Sequence, residues 1–113
     1  MKRKSTKISR GKVYIAGKVG DVSEPETLRI RQANFQRREK ELKRIGYKVV
    51  NPMKIVPAGT EWRDAMRICV RALCECDSIS LLPDWRQSEG AMIEAHIAER
   101  LKMPHVYPSA MNE

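Results

Sequence analysis

The stretch SISLLPDWRQSEGAMIEAHIAERLK, residues 78–102, holds two different hydrophobic periodicities side by side. Ser78-Ile79-Ser80-Leu81-Leu82 is a short β-prone run ended by Pro83, which cannot donate to a strand ladder. After a polar loop, Ala91, Ile93, Ala95, Ile97 and Ala98 recur as in an apolar-faced helix over residues 88–102. Ser88 stands where an N-cap hydroxyl can bond a free amide of the first turn. A strand leading directly into a helix is half of a βαβ unit, so the fold turns on whether the pattern repeats.

It does. Val13-Tyr14-Ile15-Ala16, closed by Gly17, reads as a first strand, followed by a loop over residues 18–25. From about residue 26 to 45, Leu28, Phe35, Leu42 and Ile45 return at helical spacing among many Arg, Lys and Glu, and Gly46 supplies a stop. Tyr47-Lys48-Val49-Val50 is a second strand, cut off by Asn51-Pro52. Thr60 can cap a helix with Trp62, Met66, Cys69, Val70 and Leu73 on one face. His105-Val106-Tyr107 reads as a last short strand. This order predicts a Rossmann-like or flavodoxin-like α/β domain: about four parallel strands, helices on both faces and right-handed crossovers. Residues 12–108 form the expected single domain, between a basic tail over 1–11 and a short C-terminal tail over 109–113. Ligands of such sheets bind beyond the carboxyl ends of the strands, here residues 17–21, 51–57 and 83–94.

Composition narrows the function classes. No apolar run approaches the ~20 residues of a membrane span, and no apolar stretch follows the basic N-terminus as in a signal peptide. A cytoplasmic location without membrane contact is therefore expected. The net charge of +8 is concentrated: residues 1–12 contain six Lys or Arg and no acid, and the rest has 16 basic against 14 acidic residues. Such a tail can touch nucleic acid weakly through phosphates, whereas a remainder at +2 gives that reading little support. Cys69, Cys74 and Cys76, spaced C-x4-C-x-C, match no zinc pattern and read as buried small hydrophobes. Neither a metal nor a cofactor is expected.

Glu94 is the anomaly. Projected at about 100° per residue, Gly90, Ala91, Ile97, Ala98 and Leu101 fall within roughly 60° of it. An unpaired carboxylate there would cost several kcal/mol, so it must be paired, protonated or facing a cavity. Gly90, one turn earlier, removes a side chain where a ligand would approach. Asp84 and Glu89 read as solvated charges, and Trp85 as either a nucleobase platform or a cover over the sheet end.

Ser88-x-Gly90-x-x-x-Glu94 resembles the helix-start motif of the nucleoside 2-deoxyribosyltransferase superfamily and its small deoxynucleotide N-glycosidases. Closer still is the DUF4406 family, often phage-encoded. Its resemblance rests on Tyr14-Ile15-Ala16-Gly17, Asn34-Phe35, Asn51-Pro52, Cys76-Asp77 and the run Leu82–Glu94, in order. The superfamily resemblance implies N-glycosidic chemistry on a (deoxy)nucleotide or nucleoside, with Glu94 attacking C1′ of the sugar. It implies Asp77 as acid or sugar-orienting partner, and Tyr14 as the group orienting the glutamate or contacting the sugar. Ser88 and the helix amides suit a 5′-phosphate, with Lys18 and Arg86 as additional phosphate contacts on spacing grounds alone, and Gly17 and Trp85 are expected in the rest of the site. It also implies a homo-oligomer and, for a phage protein, the host cytoplasm. The loop Lys18-Val19-Gly20-Asp21 replaces the Ser and Arg of catalytic members, which favours hydrolysis, or binding without turnover, over transfer.

Overall fold

Val13, Tyr14, Ile15 and Ala16 are all fully buried, the signature of a central strand covered on both faces. In the computed structural model, which describes residues 10–20 and 22–108, they lie in β1 (Lys12–Ala16). The basic tail therefore lies outside the described residues apart from Arg10 and Gly11, as do Asp21 and the tail over 109–113. β1 pairs in parallel with β2 (Lys48–Val50) on one side and β3 (Ser78–Leu81) on the other, giving the order β2-β1-β3.

The side chains of β1 divide the core in two. Val13 and Ile15 pack with Phe35 and Leu42 of α1 (Pro25–Arg44). Tyr14 and Ala16 pack with Cys69 and Leu73 of α3 (Trp62–Cys74) and with Ala91, Ala95 and Ala98 of α4 (Glu89–Arg100). Helices thus cover both faces. The chain leaves β1 toward one face and β3 toward the other, so the strand order reverses between them, the place where ligands of such sheets usually bind.

Several boundaries follow local chemistry seen in the sequence. Gly46, at φ +106°, ends α1: its amide donates to Lys43 O and that of Tyr47 to Leu42 O, the paired bonds of a Schellman motif. Ser88 caps α4 by accepting from the Ala91 amide at 3.1 Å.

Others differ from expectation. Among the described residues the sheet has three strands; the expected fourth shrinks to one parallel bridge, Ile79↔His105. The Val106 carbonyl there accepts from the Ser80 hydroxyl at 2.7 Å, which turns the segment toward a side-chain anchor instead of extending the ladder. Asn51-Pro52 does more than end a strand. The Asn51 side chain accepts from Met53 N, and Pro52 starts a short helix, α2 (Pro52–Ile55). Thr60 caps nothing: its hydroxyl donates to Pro57 O and Glu61 holds the cap position of α3. Trp62 is 55% exposed rather than core-facing, and of the three free thiols Cys74 is exposed. Among the described residues no helix is long and apolar enough to cross a membrane.

Candidate functional site

Tyr14 lies mid-strand in β1, and Glu94 lies in the second turn of α4, the helix packed over that face. Their side chains meet: the Tyr14 hydroxyl donates to Glu94 Oε2 at 2.9 Å. Glu94 is 5% exposed and Tyr14 fully buried, so the pair is cut off from bulk water. Burial pushes the Glu94 carboxyl up to about 7, against the hydrogen bond from Tyr14, which favours the charged form. The same burial, and the negative charge of Glu94, raise the Tyr14 phenol well above its ordinary range. Tyr14 thus remains a neutral donor throughout the working pH range.

Cys69 of α3 is a third member that the sequence did not single out. It packs in the same buried cluster as Tyr14, and burial pushes its thiol up to about 11, so it stays a neutral neighbour of the pair. Only its spacing from Met66 and Leu73 hinted at this, and a buried cysteine on an apolar face reads first as filler.

A second group gathers at the carboxyl edge. The Lys18 amide donates to Asp84 Oδ1 at 3.1 Å, and its Nζ reaches Gln87 Oε1 at 3.3 Å. Arg31 of α1 approaches the other Asp84 oxygen at 3.9 Å. Asp84 is thus no solvated loop charge: it ties the loop after β1 to the one after β3. Trp85 and Arg86 lie in the 3-10 turn Trp85–Gln87. Trp85 packs half-buried against the cluster containing Tyr14, and the exposed Arg86 guanidinium stacks over its ring at 4.8 Å.

The glycines are explained by packing. A Cβ on Gly17 would lie 2.5 Å from Leu82 Cδ1, so the turn after β1 requires a bare backbone. A Cβ on Gly90 would meet Met66 Sδ at 2.9 Å, with Trp62 Nε1 3.8 Å away. The space beside Gly90 is therefore filled by α3, and not left open for an approaching ligand.

Asp77 stands apart. Its carboxylate accepts from Lys12 N at 2.8 Å, while its own amide donates to Lys12 O. It closes the β1–β3 ladder at the amino edge of the sheet, opposite the edge where Lys18, Asp84 and Ser88 assemble. The acid role that the resemblance implied for it finds no support in this position. Clefts of about 230 Å³ and 400 Å³ lie along α1, and neither is lined by Tyr14 or Glu94.

No curated protein matches the chain. A family model described as a domain of unknown function, DUF4406, matches residues 11–107, which spans both the Tyr14 strand and the Glu94 helix. The chain belongs to the DUF4406 family.

Proposed function

We propose that Tyr14 and Glu94 form the reactive centre of an N-glycosidic-bond hydrolase or transferase acting on a (deoxy)nucleotide or nucleoside. The observation that carries this reading is a buried carboxylate whose hydrogen-bond donor is a phenol rather than a cation. A structural glutamate gains most from a Lys or Arg partner; a nucleophile is better served by a neutral donor that orients it without quenching its charge. In this reading the ionised Glu94 attacks C1′ through an oxocarbenium-like transition state while the base departs with the bonding pair. Water or a second base then resolves the glycosyl ester. Arg86 and Lys18, on the two loops of the carboxyl edge, would meet a phosphate, and Trp85 would flank the base. Entry requires Met66 and Trp62 to move aside, which an unbranched thioether and an exposed indole allow. By resemblance, a neighbouring subunit completes the pocket.

The test is base release from a panel of nucleotides and nucleosides, followed by chromatography. Glu94→Gln is expected to lower release by on the order of 10³-fold or more. Because attack needs the carboxylate, kcat/KM should climb as pH passes through about 7. Wild-type rates in the glutamine variant would refute the assignment.

The position of Asp77 favours a second reading, a nucleotide-binding module without turnover, since it removes the acid partner that the resemblance implied. Recovery of an intact, tightly bound nucleotide after long incubation distinguishes it from the first.

A further inference from the structure

The charge of the folded part is small in total but strongly segregated. Residues 22–56 carry nine Lys or Arg against four Asp or Glu; residues 57–108 carry six against eight. Within the first group the cations collect on the outer arc of α1. At about 100° per residue, Arg29, Arg37, Lys40, Lys43 and Arg44 fall within an arc of roughly 120°, together with Gln36, Ala33 and, in the first turn, Glu26. All five are exposed. Among the described residues, the ion pairs of α1 involve Arg31, Arg38 and Lys43, and Arg29, Arg37, Lys40 and Arg44 belong to none of them. Of the acids of α1, Glu39 and Glu41 are engaged by Asn51, Lys54 and Arg38, and the exposed Glu26 lies in the first turn, before the stripe begins at Arg29. From Arg29 to Arg44 the stripe runs ~22 Å.

Two further features extend it. The cleft of about 400 Å³ beside the stripe is lined by Arg29, Gln32, Gln36, Asn51 and Lys54; the last two are bonded to Glu39, so the cleft adds the amide donors of Gln32 and Gln36. At the other end of α1 the Arg10 side chain packs beside Gly46, and the Arg10 amide donates to Gly46 O at 3.0 Å. The chain therefore passes beside the last turn of α1 at Arg10, whose cation lies next to the end of the stripe.

We infer that the outer face of α1 is a binding surface for the phosphate backbone of nucleic acid, on the opposite side of the sheet from Tyr14 and Glu94. A row of cations interleaved with amide donors suits a regularly spaced polyanion read without sequence. A membrane-surface helix would carry an apolar face beside its cations, and this arc holds only Ala33, with Ile30 at its margin. A protein interface would centre on aromatic or other large apolar anchors, which the arc lacks.

The test uses the full chain and a fluorescein-labelled 20-base-pair DNA of random sequence, titrated by anisotropy between 50 and 200 mM NaCl. The quadruple variant Arg29→Gln, Arg37→Gln, Lys40→Gln, Arg44→Gln is compared with Arg63→Gln, Arg67→Gln, Arg71→Gln, Arg100→Gln. The second set removes the same charge from exposed positions on α3 and α4. Circular dichroism establishes that both are folded. The α1 variant is expected to bind at least about tenfold more weakly at 100 mM salt, with a log–log salt slope shallower by about 3. The control set should bind within threefold of the parent. Equal losses in the two variants, or an unchanged α1 variant, would overturn the proposal. So would phosphatidylserine vesicles or polyglutamate binding as tightly as DNA with the same dependence on the α1 residues.

Discussion

Two glutamates are buried in helices on opposite faces of the sheet, and they are almost equally hidden: Glu39 in α1 is 4% exposed and Glu94 in α4 is 5%. Their surroundings differ in kind. Glu39 accepts from Asn51 Nδ2 at 3.0 Å, Lys54 Nζ at 3.1 Å and Lys43 Nζ at 2.9 Å. Burial raises its pKa, but these donors outweigh burial and hold the carboxyl down to about 2. Both lysines are more than half exposed, so the cluster sits just under the surface, where long cationic side chains reach in from water. Glu94 has the Tyr14 phenol, and its carboxyl rises to about 7. Burial alone therefore does not mark a site. What separates the two is whether the fold supplies compensating charge.

The comparison breaks most easily in the pH dependence of stability. For Glu94 the folded pKa lies above the ordinary 4.5, so its penalty is absent below pH 4.5, grows as pH rises, and is complete above about 7. Glu94→Gln is expected to stabilise the fold by up to about 3 kcal/mol at pH 8 and by almost nothing at pH 4. Urea denaturation across that range checks it, and a glutamine variant less stable than the parent at pH 8 would mean that the carboxylate has a partner besides Tyr14.

Glu39 should show the opposite sign. Its folded pKa is depressed, so its contribution is present above pH 4.5 and lost as pH falls toward 2. Glu39→Gln should destabilise by about 2 kcal/mol at neutral pH, after allowance for the solvent-exposed lysines, with the difference shrinking between pH 4.5 and 2. A pH-independent loss would assign the effect to packing.

The smallest change sharpens the role of the phenol. Tyr14→Phe removes the interaction that holds the Glu94 pKa down, so the carboxyl should titrate above 7. Carbon-detected NMR of the glutamate side chains would follow the shift, with a stability change of about 1 kcal/mol. An unmoved titration would show that the hydroxyl does not sense the charge.

The two glutamates also show how far the sequence reaches. Glu94 was legible because helical periodicity places it among alanines, and a charge at the centre of an apolar arc is a local signal. Glu39 was silent, since it sits in a segment crowded with Arg, Lys and Glu, where periodicity cannot tell an inward carboxylate from a solvated one. Its partner Asn51 lies beyond β2, and only the β1–β2 crossover brings them together. The cationic arc of α1 was lost for a similar reason: a net +2 sums over faces that the fold separates.

By itself, the sequence determined the strand–helix alternation, the stop at Gly46, the cap at Ser88 and the odd placement of Glu94. These depend on neighbours within about four residues, through backbone conformation and helical spacing. The tertiary structure decided that Tyr14 reaches Glu94, that Asp77 closes the far edge of the sheet, and that Met66 occupies the space beside Gly90. Each of those is set by the parallel register of β1 with β3 and by how α3 and α4 pack over it, and neither is encoded in any single segment.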